Sequence, residues 1–215
     1  MRINQFIAAA TGLSRRAADH AIQEGRVRVN GQRAELGKVI QPGEKVSLDG
    51  KPLAAPEKTQ TIMLNKPYGY VCSRAGQGSK TIYDLLPANL HHLKPVGRLD
   101  RESTGLLLMT NNGQLVQDMT HPSKIKQKVY QVELSQPLDK TDQFEVERGV
   151  TLEDGLSSLM LKGADRKWQV TMHEGRNRQI RRTFAARGYK VLKLHRSQFG
   201  EYAIGGLAVG KFREI

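Results

Sequence analysis

Asp100 stands between two arginines in the stretch Val96-Gly97-Arg98-Leu99-Asp100-Arg101-Glu102-Ser103-Thr104-Gly105, directly before the apolar run Leu106-Leu107-Leu108-Met109. A carboxylate flanked by guanidinium groups stays ionised, so it can act as a nucleophile or as an electrostatic stabiliser. The setting is a turn that feeds a buried strand, whose far end is marked by Asn111-Asn112-Gly113. Taken alone, Arg98-Leu99-Asp100 also reads, and more simply, as a salt bridge at a strand entrance.

A second set of candidate groups lies between Thr171 and Arg196. Eight Lys and Arg stand there against Glu174, a net +7 of the chain's +13. A helix starting near Asn177 and running to Arg187 would place Arg178 and Arg182 on one face and Ile180 and Phe184 on the core side, with Arg181 at the border. A border arginine can lean into a cleft and pair with a partly buried carboxylate, whereas Arg178 and Arg182 would reach phosphates. With few acids close in sequence, a merely solvated helix face is the weaker reading.

The elements that must position these groups are short strands. Thr61-Ile62-Met63-Leu64-Asn65 reads as one, ending at Lys66-Pro67-Tyr68-Gly69, and Tyr70-Val71-Cys72-Ser73 can continue as another. Tyr130, Val132 and Leu134 alternate with polar neighbours, as do Trp168, Val170 and Met172. Asn111-Asn112-Gly113 to Met119 has helical spacing. The fold class expected for 61–215 is α+β with a mainly antiparallel mixed sheet and flanking helices.

Residues 1–50 form a separate pattern. Ile3, Phe6, Ile7 and Ala10 make a helical stripe that Gly12 can end, and Ser14 caps a second helix with Ala17, Ala18, Ala21 and Ile22 inward. Val27-Arg28-Val29 runs into the turn Asn30-Gly31, and Lys45-Val46-Ser47-Leu48 precedes Asp49-Gly50. Arg15, Arg16, Arg26 and Arg28 then lie close enough to form a basic binding face, though they equally suit the solvated surface of a small domain. Residues 51–60, with two prolines and no periodicity, read as a linker.

The 215 residues carry 34 Lys and Arg against 21 Asp and Glu, which points to a polyanionic partner, either nucleic acid or an anionic membrane surface. No stretch approaches the roughly 18 apolar residues of a membrane span, and Met1-Arg2-Ile3-Asn4-Gln5-Phe6 lacks a secretory hydrophobic region. A soluble, cytoplasmic protein is expected. Cys72 is the single cysteine, excluding an intramolecular disulfide and a thiolate-clustered zinc site, and it reads as a small strand residue. No phosphate-binding loop, dinucleotide fingerprint or metal-ligand cluster appears among the motifs.

Ser14-Arg15-Arg16-Ala17-Ala18 and Gly25-Arg26-Val27-Arg28-Val29-Asn30-Gly31 resemble the S-four domain, a small α/β RNA-binding module. Gly97 to Leu108, then Lys128-Val129-Tyr130, then Glu174-Gly175-Arg176-Asn177-Arg178-Gln179-Ile180-Arg181-Arg182 occur in the order of the RsuA/RluB-type ribosomal RNA pseudouridine synthases, and the chain resembles that family along nearly its whole length. The resemblance implies an isomerase that turns a specific uridine of ribosomal RNA into pseudouridine, with the base flipped out and no cofactor. It makes Asp100 the catalytic carboxylate, Tyr130 an active-site aromatic against the target base, and Arg181 the ion-pair partner of Asp100, with Arg98 second. Leu194 would line the uracil pocket, and Arg98, Arg176, Arg178 and Arg182 would hold substrate. His121-Pro122-Ser123 and Arg148 to Gly155 favour the RluB type, hence large-subunit RNA. Asn112 stands where the family commonly has an acidic residue.

The expected partner is ribosomal RNA or a ribosome-assembly intermediate, and nothing calls for a second subunit, so a monomer is expected. Two rivals remain open at this level. One is a non-catalytic RNA-binding assembly factor, which explains the charge but not Asp100. The other is a hydrolase using Asp100 and Glu102 as a carboxylate pair at a glycosidic bond.

Overall fold

The stripe Ile3, Phe6, Ile7 is buried in helix α1 (Ile3–Thr11), which ends at Gly12 with φ 77°. A left-handed residue there lets the Gly12 N–H reach the Ala8 carbonyl and close the last turn. Ser14 accepts the Ala17 N–H and caps α2 (Arg15–Gln23), which buries Ala18, Ala21 and Ile22. Strands β1 (Val27–Val29) and β2 (Gln32–Arg33) flank Asn30-Gly31, both at positive φ, the turn whose twist suits a two-residue hairpin. Strands β3 (Val46–Leu48) and β4 (Lys51–Pro52) complete a four-stranded antiparallel sheet, ordered β2-β1-β3-β4. Its core gathers α1, α2 and the inward Val27, Val29 and Val46.

This computed structural model describes residues 1–54, 59–121 and 123–215. The chain divides into two units, Met1–Thr59 and Gln60–Ile215. The segment 51–60, expected as a linker, is used from both ends. Lys51–Pro52 pairs with β3, and the Leu53 N–H bonds to Val46, while Gln60 bonds to Asn111 and Glu214 of the second unit. Residues 55–58 of that expected linker, and Pro122, lie outside the described residues.

The second unit is built on a nine-stranded sheet. Its strands are β5 (Thr61–Lys66), β6 (Lys94–Pro95), β7 (Thr104–Thr110), β8 (Lys128–Leu134), β11 (Met160–Ala164), β12 (Lys167–Met172), β13 (Val191–Phe199), β14 (Tyr202–Ala203) and β15 (Phe212–Glu214). The order runs β11-β12-β8-β13-β7-β5-β15, with β14 on β13 and β6 on β7. Every pairing is antiparallel except β13 with β7. A small hairpin, β9 (Val150–Leu152) with β10 (Gly155–Ser157), stands apart.

The run Leu106 to Met109 is continuous rather than alternating because the sheet is covered on both faces. Leu107 and Met109 join the main core, while Leu106 and Leu108 join a second cluster with Met119 and Phe199. Helix α3 (Gly113–Thr120) is capped by Asn112, whose side chain accepts from Gln114 and Leu115. Asn serves that role as well as Asp.

Two expectations are corrected and one element is new. Tyr70 to Ser73 is not a strand; Val71 makes an isolated parallel bridge to Thr81. Helix α4 (Lys140–Arg148) was not expected, since Val146 is its buried residue and so thin a stripe leaves no clear periodicity. Helix α5 (Gln179–Ala185) begins after Arg178, not near Asn177, and Arg178 precedes it at φ 47°. Ile180 and Phe184 do face the core.

Candidate active site

Asp100 lies on the turn before β7, and that turn is fastened from within. Lys66, the last residue of β5, is wholly buried and donates through Nζ to the carbonyls of Ser103 at 2.7 Å, Asp100 at 3.1 Å and Pro67 at 3.1 Å. Three ammonium donors facing carbonyl oxygens replace the water that the charge has lost. Burial pushes the Lys66 ammonium down to about 8, with Asp100 among the groups that oppose the shift. The Cys72 thiol fastens the other side of the turn, contacting the Leu99 carbonyl at 3.3 Å and the Leu99 N–H at 3.4 Å. Cys72 is thus a turn anchor, not a strand residue. The Gly69 N–H holds the Arg101 carbonyl at 2.9 Å.

Gly105 follows where no other residue fits. Its φ is +103°, and a Cβ would sit 2.3 Å from the Arg196 carbonyl. The close approach lets β7 run parallel to β13 directly beyond the Asp100 turn.

A cleft of about 820 Å³ opens beside this turn. Asp100, Arg98, Tyr130, Leu194, Arg176 and Arg178 all line it, together with Lys128, Met172, Arg196 and Phe199. Tyr130 and Leu194 are buried at 8% and 7% exposure, on adjacent strands β8 and β13, and Arg98 is exposed at the rim. His121 and His173 also border the cleft, while His195 bonds through Nδ1 to the Thr104 hydroxyl at 2.9 Å.

The expected Asp100–Arg181 ion pair is not formed. Arg181 lies outside the cleft, in a neighbouring depression with Glu102, Tyr189 and Val191. Its guanidinium donates to the Val191 carbonyl at 2.8 Å and the Glu102 carbonyl at 3.1 Å, and its Nε lies 3.9 Å from the Glu102 carboxylate. Burial pulls Arg181 down from its ordinary value, opposed by Glu102 and, more weakly, by Asp100. The acid two residues past Asp100 has taken the partner. Arg178 donates to the same Glu102 carboxylate at 2.9 Å, and that bond holds Glu102 below the usual carboxylate range. Arg98 likewise makes no ion pair with Asp100 among the described residues.

Arg176 and Arg182 also differ from expectation. Arg182 forks onto Asp154 at 3.0 and 2.7 Å, and Arg176 bonds Asp154 at 2.9 Å together with the carbonyls of Asp154, Gly155 and Leu156. Both therefore brace the β9–β10 hairpin against α5. Arg176 also holds Glu174 at 3.2 Å, but Asp154, which both share, comes from distant sequence, so counting neighbours around Arg176–Arg187 missed it.

Sequence reasoning also missed Lys66 and Arg196 as site residues. Both would normally read as solvent-facing strand cations. For Arg196 the available signal is parity, since it continues the inward series of Leu194; β5 is buried along its whole length, so parity does not mark Lys66.

In the first unit, Arg15, Arg16 and Arg28 are exposed, and Arg28 donates to the Gly31 carbonyl at 2.9 Å. Arg26 instead forks onto Asp49 at 2.7 and 2.6 Å, with Glu24 at 3.1 Å, so its guanidinium is occupied within the unit. Among the described residues no helix is long and apolar enough to cross a membrane.

The model of the RNA pseudouridylate synthase family matches residues 60–186, and that of the S4 domain matches residues 1–52. An uncharacterized RNA pseudouridine synthase of Aquifex aeolicus is 36% identical, covering 100% of this chain and 90% of its own length. A ribosomal large subunit pseudouridine synthase B of Bacillus subtilis is 34% identical, over 100% and 91%. A ribosomal small subunit pseudouridine synthase A of Yersinia pestis is 33% identical, over 100% and 94%. A crystal structure of a pseudouridylate synthase superposes with a TM-score of 0.72 at 33% identity, covering 100% of this chain and 96% of the other.

Proposed function

The chain belongs to the RNA pseudouridylate synthase family and carries an S4 domain, and on that footing we propose that it isomerises a uridine of ribosomal RNA, with Asp100 as the catalytic carboxylate. The observation that carries this reading is the Asp100 turn, anchored by Lys66 and Cys72 beside a cleft that also holds Tyr130 and Leu194. A cleft walled by an aromatic and an apolar residue suits a uracil turned out of its stack. Uridine and pseudouridine are isomers, so the chemistry needs neither oxidant nor energy donor. The N1–C1′ bond breaks, its electron pair stays with the base, the ring turns, C5 bonds to C1′, the C5 proton passes to solvent, and N1 takes up a proton in its place.

Asp100 attacks or electrostatically supports the sugar carbon during cleavage. Tyr130 stacks on the base, and Leu194 closes its apolar side. Arg98 and Arg178, at the rim, take backbone phosphates, for which Arg178 exchanges Glu102. Arg181 is a positioning residue that ties Glu102, and hence the Asp100 turn, to α5. The first unit grips structured RNA through Arg15, Arg16 and Arg28. The substrate is ribosomal RNA, free or within an assembly intermediate, met in the cytoplasm by a monomeric enzyme. Large-subunit RNA is the preferred target, on the RluB-like Arg148–Gly155 segment and on His121 and Ser123.

The test is tritium release from ribosomal RNA labelled at uridine C5. Asp100→Asn and Asp100→Ala should abolish release while RNA affinity stays within about threefold of the parent, because one carboxylate carries the bond-breaking step. Turnover by Asp100→Ala would remove the assignment. Pseudouridine mapping in cells with and without the gene identifies the subunit.

A further inference from the structure

We infer that Arg196 acts on the substrate, donating to a uracil carbonyl oxygen and holding the negative charge that the base acquires when the N1–C1′ bond breaks. Arg196 is 3% exposed and lines the cleft. It lies directly opposite Tyr130 in the β13–β8 register and two residues from Leu194, on the same face of β13. Its Nε donates to the Leu106 carbonyl at 2.8 Å, and its guanidinium stands 4.9 Å from the Phe199 ring centroid. Its Nη2 has no hydrogen-bond partner, and no carboxylate lies within ion-pair distance of it among the described residues.

That combination sets Arg196 apart from the other cleft arginines. Arg176 holds Asp154 and Glu174, Arg178 holds Glu102, and Arg98 is solvated at the rim. A guanidinium cannot shed its charge, and burying one without an anion is unfavourable unless something else supplies the counter-charge. Lys128 deepens the imbalance, because its Nζ lies 5.4 Å from the same Phe199 ring and its bond goes to a carbonyl, that of Glu174. Burial lowers the Lys128 ammonium, and the neighbouring Arg196 charge lowers it further. Arg196 therefore presents an unpaired Nη2 to a cleft whose carboxylates, Asp100 and Glu174, make no ion pair with it among the described residues, Glu174 acting instead on Lys128.

The base is a better source of that charge than a phosphate. Arg196 sits beside Tyr130 and Leu194, deep on the sheet, whereas the rim arginines are placed for the backbone. On cleavage, the N1–C1′ electron pair spreads over N1, O2 and O4, and a preorganised N–H donor at one oxygen lowers the barrier without reorganisation. The charge is discharged when C5 bonds to C1′; loss of the C5 proton returns an electron pair to the ring, and N1 takes it up with a proton from solvent. This inference rests on the reading that the Asp100 cleft takes the target uridine.

The experiment uses Arg196→Met and Arg196→Lys in the full chain, measuring melting temperature, RNA affinity and the single-turnover rate at saturating RNA. Each is measured with uridine and with 5-fluorouridine at the target position, reading loss of the original N1-linked nucleoside. Arg196→Met should lose roughly 100-fold in rate with affinity nearly unchanged, and Arg196→Lys should lose less. Fluorine makes the ring a better carrier of negative charge, so the Arg196→Met defect should shrink about tenfold on 5-fluorouridine. A defect of equal size on both bases overturns the inference and leaves a packing role. Lost affinity with an unchanged saturated rate overturns it in favour of a phosphate contact. If Arg196→Met does not fold, Arg196→Lys carries the same comparison between bases. Activity in Asp100→Asn would remove the site itself, whereas a dead Asp100→Asn beside a fully active Arg196→Met removes this inference alone.

Discussion

Arg15 and Arg16 at the start of α2 and the arginines from 176 to 187 look alike as strings of letters, each a basic run with few acids nearby. In the folded chain they differ in kind. Arg15 and Arg16 are exposed and hold no ion pair among the described residues. Arg176 and Arg182 share Asp154, Arg178 and Arg181 share Glu102, and Arg187 holds Asp142. The first run is free to meet a polyanion. The second is largely spent on fastening α5 to the β9–β10 hairpin, the Asp100 turn and α4. Charge density along a sequence thus measures composition, while availability depends on acids delivered by the tertiary fold.

The largest effect expected from that difference is on binding. Arg15→Ala with Arg16→Ala should weaken RNA affinity by about tenfold near physiological salt and flatten the salt dependence by roughly two units of slope, with no change in melting temperature. Filter-binding across a salt series measures it, and an unchanged slope would erase the distinction between the two runs.

Asp154→Ala should do the opposite. It should lower the melting temperature by a few degrees, since the hairpin loses its Arg182 brace and one bond to Arg176, and leave the salt slope as steep as before or steeper, as Arg182 is released. Calorimetry and the same salt series separate the two outcomes. A melting temperature unmoved by Asp154→Ala would mean that the second run is not structural.

The smallest effect concerns a third kind of cation. Lys66 is neither free nor ion-paired but caged by carbonyls, with its ammonium at about 8 in the fold against 10.5 for an ordinary lysine. Between those values the unfolded chain binds the extra proton, so this group's contribution to stability rises as pH increases through the window. The stability gap between the parent and Lys66→Met should widen by about 1 kcal/mol from pH 7.5 to 9, read by denaturant titration at both. A gap independent of pH would show that Lys66 does not titrate there.

Much of the fold is legible in the chain because its signals are local. Gly12, Ser14, Asn30-Gly31 and Asn112 mark boundaries through their own backbone geometry or side-chain oxygens, and each acts at the place expected. The strands around Tyr130 and Trp168 follow from alternation. Local signals are weaker where an element buries little, as with α4, or where a segment is held by bonds to another part of the chain, as with Val71 and Cys72. The last strand of the first unit's sheet is a further case. Pro52 looks like a linker residue, yet an edge strand has no need of the N–H that proline lacks.

The candidate site divides along the same line. Asp100, Tyr130 and Leu194 were identified by motif and resemblance, and they do line one cleft. The roles of the charged residues around them were not legible, because an ion pair is a property of two positions far apart in sequence. Glu102 displaced Asp100 as the partner of Arg181, and Asp154 claimed Arg176 and Arg182. The sequence by itself determined the class of protein, a basic two-part chain of the RNA pseudouridylate synthase family with a carboxylate on a turn before a buried strand. Only the tertiary structure decided which cations are neutralised, which one anchors that turn, and that Arg196 is buried with no counter-ion among the described residues. The physical reason is that hydrophobic period and turn chemistry act between neighbours, whereas burial and charge pairing exist only once distant strands are brought together.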